Sequence, residues 1–167
     1  ASDNRIKPDI VSYYDNIHTT SSTAYGKFGG TSGATPIING HLGLIIEMFT
    51  DGLFGNELEF PKKERFKNRP HATTSKALLI NSARQYDFEG ADHDLTRVHQ
   101  GWGHPNLQNL YEMRDKMLIV DESINLLAME STEFEIEVAE GEPQLAATLV
   151  YNDPPGMVGA EIHRVND

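Results

Sequence analysis

Gly30-Thr31-Ser32-Gly33-Ala34-Thr35-Pro36 is the stretch whose reading decides the fold. It places a serine where a glycine-bracketed loop turns into an apolar helix, an arrangement that aims a hydroxyl at a substrate. From Ile37 to Ile46 the chain carries no Asp, Glu, Lys or Arg, so the helix is expected to be apolar nearly all round and buried. Pro36 fits only its first turn. A helix N-terminus presents unpaired N–H groups and partial positive charge. Ser32 is therefore expected to lie beside a site that favours an oxyanion.

Outward from this point the periodicity changes once. The Ser32 helix is predicted to run to about Thr50 and to stop at Asp51-Gly52. A polar loop follows. A second helix is predicted from about Ser75 to Gln85 with Thr73, Thr74 or Ser75 as its cap, and residues 87–100 read as another loop. Asn106 is the expected cap of a third helix, whose Leu107, Leu110, Tyr111 and Arg114 stem share a face. After Met117 the pattern turns to strands. Phe134, Ile136 and Val138 alternate with Glu133, Glu135 and Glu137, and Leu145, Ala147, Leu149 and Tyr151 alternate again beyond a turn at Gly141-Glu142-Pro143. The expectation is a hairpin with an acidic outer face, halted at Asn152-Asp153-Pro154-Pro155-Gly156.

The motif Gly-Thr-Ser-x-Ala-Thr-Pro, followed by Gly40, resembles the nucleophile motif of the subtilases, the subtilisin-like serine proteases. Arg5-Ile6-Lys7-Pro8-Asp9-Ile10 resembles the segment that precedes it in that family, with Asn16-Ile17 and Thr19-Thr20 as its continuation. Lys76-Ala77-Leu78-Leu79-Ile80-Asn81-Ser82-Ala83 is similar to the following family helix, and Gly101-Trp102-Gly103-His104-Pro105-Asn106-Leu107 to the turn into the last one. Leu149 to Gly156 resembles the opening of the β-sandwich or jelly-roll domain that follows some subtilase catalytic domains, and Arg164-Val165-Asn166-Asp167 a later strand of it. The rival nucleophile elbow, G-x-S-x-G, fails because Ala34 stands at its second glycine. Two places in the sequence depart from the family pattern. Ser12-Tyr13-Tyr14 replaces Ala-Pro-Gly, and Gly33 stands where Met is commoner.

The resemblance implies an α/β chain: residues 1–117 as the C-terminal portion of a three-layer subtilisin-like catalytic domain, and 118–167 as the beginning of an antiparallel β-sandwich. It implies a serine-type endopeptidase in which Ser32 attacks the peptide carbonyl while its own N–H, supported by Thr31, holds the oxyanion. No cofactor is required for that chemistry. The general-base His, its orienting Asp and the Asn oxyanion donor precede the matched segments in family order. The chain is expected to be inactive alone and to act with the preceding part of the same protease on a protein or peptide substrate. Neither nearby imidazole replaces the base. His41 lies nine residues after Ser32, roughly 13 Å along a helix, and His18 reads as solvated in a threonine-rich loop.

Composition is that of a soluble globular protein, with 38% hydrophobic and 23% charged residues. A net charge of −11 argues against nucleic acid or an anionic membrane as partner. The chain has no cysteine and therefore no disulfide or thiol chemistry; a secreted or cell-envelope location is implied by the resemblance only. Asp92, His93, Asp94, His99 and His104 are potential metal ligands without a fixed ligand spacing. Asn152 and Asp153 offer oxygens for a structural calcium but are first of all turn formers. The basic run Lys62, Lys63, Arg65, Lys67, Arg69 reads as a solvated loop. The incomplete sandwich is expected to leave an open sheet edge that self-association or another polypeptide covers. The alternative function is a non-catalytic binding or scaffold module with a subtilase-derived fold.

Overall fold

The computed structural model describes residues 6–87, 97–127, 129–152 and 158–159. Its elements in chain order are a hairpin of β1 (Ile17–Thr20) and β2 (Tyr25–Phe28), then helices α1 (Thr31–Thr50), α2 (Ala72–Ser82), α3 (Arg97–Gln100) and α4 (Leu107–Glu112). Short 3₁₀ segments lie at Lys62–Asn68 and Arg114–Lys116. β1 and β2 pair antiparallel, Ile17 opposite Phe28 and Thr20 opposite Tyr25. They are the only sheet among the described residues.

The core is the seam between α1, α2 and α4. Ile45 and Phe49, one turn apart on α1, meet Leu78 and Leu79 of α2, Leu110 of α4 and Phe54. Each side chain buried this way contributes about 1.5–3 kcal/mol. Ile38, Leu42 and Met48 extend the α1 stripe and Ile10, Leu107, Met117 and Ile119 close its edges.

Helix α1 departs from the sequence expectation in two respects. It begins at Thr31 with Gly30 as N-cap, so Pro36 stands inside the helix rather than in its first turn. Lacking an N–H, Pro36 leaves the Ser32 carbonyl without its i+4 donor. The helix is also not buried all round. Its buried residues are Gly33, Ile45, Phe49 and Thr50, while Leu44 is 51% exposed. The apolar run covers both faces, but among the described residues the core packs against the face of Ile45 and Phe49. The end of α1 is where the sequence puts it. The N–H of Gly52, at φ 72°, reaches the Phe49 carbonyl, and that of Leu53 reaches Met48, each at 3.0 Å. This is the paired C-terminal bonding that a left-handed glycine permits.

Helix α2 starts earlier than its apparent capping residues suggest. His71 is the N-cap, and Thr73, Thr74 and Ser75 are buried in the first turn. Capping comes instead from the extended segment after Met117: Asp121 accepts from the His71 N–H at 3.1 Å, and Glu122 accepts from the Thr73 hydroxyl. Two carboxylates at a helix N-terminus complement its partial positive charge. Asn106 caps α4 as expected, accepting from the Asn109 N–H at 3.0 Å.

The threonine-rich segment around His18 is the strand β1, not a loop, although His18 is exposed. The basic run is wound into 3₁₀ turns and tied down: Arg65 lies 3.1 Å from Asp51 and 3.8 Å from Glu47, both at the end of α1. Residues 131–151 turn at Gly141 (φ 88°), and the described residues there form no strand or ladder. Phe134, Ile136 and Val138 are each about half exposed. The expected hairpin is therefore not formed: the alternation of the sequence has no pairing behind it, and Leu145 and Leu149, expected inward, are exposed. Asn81 of α2 holds the returning arm through the Thr148 hydroxyl at 2.9 Å, and Lys116 pairs with Glu142 at the turn.

Candidate functional site

Ser32 is the second residue of α1 and is exposed. Gly30, at φ 81°, breaks the chain direction between β2 and the helix, and its N–H bonds back to the Tyr14 carbonyl. The N–H groups of Gly33 and Ala34 turn to the Gly30 carbonyl at 2.9 and 3.3 Å. Those of Thr31 and Ser32 have no acceptor among the described residues. Two open amides therefore lie at residues 31 and 32, at the positive end of a 20-residue helix. Thr31 is exposed as well; its carbonyl accepts from the Thr35 hydroxyl at 2.8 Å.

Gly33 has a packing role. A Cβ there would lie 2.5 Å from Ile17 Cδ1 and 3.5 Å from Phe28 Cδ1. The hairpin thus sits directly on the turn that carries Ser32, and glycine is what lets it approach. A Cβ at this position would require the Ile17 side chain to shift.

No imidazole or carboxylate bonds to Ser32 among the described residues. His18 makes a tilted ring contact with Tyr25 at 5.6 Å. His41 Nδ1–H donates to the Ile37 carbonyl, at 2.8 Å, within its own helix. It meets His104 edge to face with ring centres 5.5 Å apart. His104 in turn contacts the Ser12 hydroxyl at 3.3 Å and the Pro105 carbonyl at 2.8 Å. The residues brought together around His104 come from positions 12–13, 41, 84–86 and 104–107, and no sequence spacing announces them.

The other sequence candidates are dispersed. His99 lies on α3 and His104 beyond it, whereas Asp92, His93 and Asp94 lie outside the described residues. Asn152 is exposed and Asp153 lies outside the described residues. No group of three His, Cys, Asp or Glu side chains gathers among those described. No helix among them is long and apolar enough to cross a membrane. Trp102 is half-buried beneath the Arg97 guanidinium, 3.9 Å from its ring centre.

The Gly101-Trp102-Gly103-His104 turn locks this end of the molecule. The Trp102 N–H reaches the Asp9 carbonyl at 2.8 Å, the Val11 N–H reaches Gly103 at 3.0 Å, and Arg84 and His104 exchange both backbone bonds at 2.8–2.9 Å. Asp9 also accepts from Lys7 at 2.7 Å and pairs with Lys76 of α2 at 3.0 Å. Burial pushes the Asp9 carboxyl up, but the hydrogen bonds and charges of Lys7 and Lys76 outweigh it and hold the group below the usual carboxylate range.

Comparison with family models, with curated proteins and with solved structures gave no match to this chain.

Proposed function

We propose that this chain is part of a subtilisin-like serine endopeptidase and supplies its nucleophile, Ser32. The observation that carries the reading is local: an exposed hydroxyl at the second position of a long helix, with the N–H groups of residues 31 and 32 open beside it. In the acyl-transfer step Ser32 Oγ attacks the peptide carbonyl, and its own N–H stabilises the oxygen that becomes negative. Thr31 supports that contact. The base that takes the hydroxyl proton, its orienting carboxylate and a second oxyanion donor come from outside these residues, so the chain alone has no useful activity.

Leu44 of α1, 51% exposed, is an apolar contact that the rest of such a protease would cover. The reading extends to a β-sandwich beginning after residue 117, a peptide substrate and secretion. A structural calcium at Asn152 and Asp153 belongs to the same proposal.

Substituting Ser32→Ala in the complete protein tests the assignment. The loss measured for subtilisin itself, about 10⁶ in turnover, sets the expected effect on casein hydrolysis. A Ser32→Ala protein with unchanged turnover overturns the proposal. A complete protein that folds with an imidazole bonded to Ser32 and still cleaves no peptide favours the scaffold module.

A further inference from the structure

A cleft of about 340 Å³ opens where the 84–86 segment, α1 and the start of α4 converge. Its lining is unusual for a chain of net charge −11: it includes Arg84, His41 and His104 and no carboxylate. Arg84 spends one N–H on the Asn109 side chain at 3.0 Å and has no carboxylate within ion-pair distance among the described residues. Asn106, also in the lining, uses its side-chain oxygen to cap α4, which leaves its NH₂ as the polar group it has to offer. The Gln85 NH₂, buried in the cleft wall, has no acceptor among the described residues. Arg84 and the Asn106 amide therefore supply hydrogen-bond donors to this space, and no carboxylate in the lining competes for them.

The apolar part of the wall is aromatic. Tyr13 packs on His104 with ring centres 5.2 Å apart, His41 meets the same ring at 5.5 Å, and Tyr86 completes the lining. Rings disposed at 49° and 81° to one another offer both faces and edges to a flat guest. A guanidinium is matched in shape and charge to a carboxylate. We infer that this cleft is a binding site for a small planar organic carboxylate, with Arg84 holding the anion and the Tyr13–His104–His41 rings and Tyr86 holding the body. The site is separate from Ser32 and does not depend on the protease reading.

Calorimetric titration with sodium benzoate, benzamide, acetate and inorganic phosphate tests it. Benzoate should bind saturably at one site. Benzamide, equally flat but uncharged, and acetate, charged but without a ring, should each bind at least tenfold more weakly. Arg84→Gln should cost benzoate at least tenfold, with an unchanged circular dichroism spectrum as the check on folding, and Ser32→Ala should cost nothing. Absence of saturation overturns the site, as does equal affinity for benzamide, a comparison that needs no variant. Phosphate binding as tightly as benzoate overturns the planar-carboxylate assignment.

Discussion

Gly103 lies against Arg84 so closely that a Cβ on it would sit 2.2 Å from the Arg84 carbonyl. Its φ of 107° is a conformation that side chains rarely adopt, and Gly101, at φ 59°, is pressed as tightly against the Pro8 carbonyl. Backbone meets backbone at both positions, so no side chain can turn aside. Gly103→Ala is expected to cost more than the roughly 1–2 kcal/mol of left-handed strain alone, because the Arg84–His104 bridge must open as well. Gly26→Ala, with open space around it, is the control. The two midpoints in urea should differ clearly; equal midpoints would mean that the turn is not held between residues 8–11 and 84.

The paired lysines at Asp9 set a pH dependence. The carboxyl is held low in the folded chain, so the unfolded chain binds the proton more readily, and stability falls as acid is added. The contribution is complete above the unfolded value of about 3.9 and is lost as pH drops through the lower folded value. Asp9→Asn should lower the melting temperature at pH 7 and flatten the decline below about pH 4. Parallel melting curves of the two proteins down to the lowest pH would contradict the role of Lys7 and Lys76.

Helix α1 is predicted to respond asymmetrically to truncation. Ile45 is fully buried, and Ile45→Ala should cost about 2–5 kcal/mol by thermal or denaturant unfolding. Leu44, its neighbour in sequence, is 51% exposed, and Leu44→Ala should change the stability of this chain by less than about 0.5 kcal/mol. If the complete protein covers this face, the same Leu44→Ala substitution becomes costly there.

Removal of Glu122 should loosen the N-terminus of α2. Glu122→Gln keeps an acceptor for the Thr73 hydroxyl but loses the charge opposite the helix dipole. A loss of about 0.3–1 kcal/mol is expected, shrinking with added salt. Hydrogen exchange at Thr73 and Thr74 that is unchanged in Glu122→Ala would show that the segment after Met117 does not cap the helix.

Local signals in the sequence proved legible where the physics is local. The left-handed glycine at 52 and the Asn106 cap act within a few residues, and both ends of helix fall where those residues place them. The start of α2 was obscured because Thr73, Thr74 and Ser75 are capping residue types, yet the groups that satisfy this end come from residues 121 and 122, about fifty positions away. The hairpin at 17–28 has four-residue strands without alternation, and its registration depends on Ile17 and Phe28 resting against Gly33. The alternation of residues 134–138 is readable, but a strand needs a partner that no single segment encodes. The encounter of His41 with His104 joins elements 63 residues apart in the chain and leaves no periodic trace. At the Ser32 motif the hydroxyl near a helix start was legible, but Pro36 pointed to a later start than Thr31, because proline is tolerated best in a first turn.

Covalent labelling of the complete protein with a fluorophosphonate, followed by peptide mapping, bears most directly on the nucleophile. The account predicts a single adduct on Ser32 and none on these 167 residues alone. An adduct on another serine, Ser12 beside His104 included, or full proteolytic activity with Ser32 unlabelled, would contradict it.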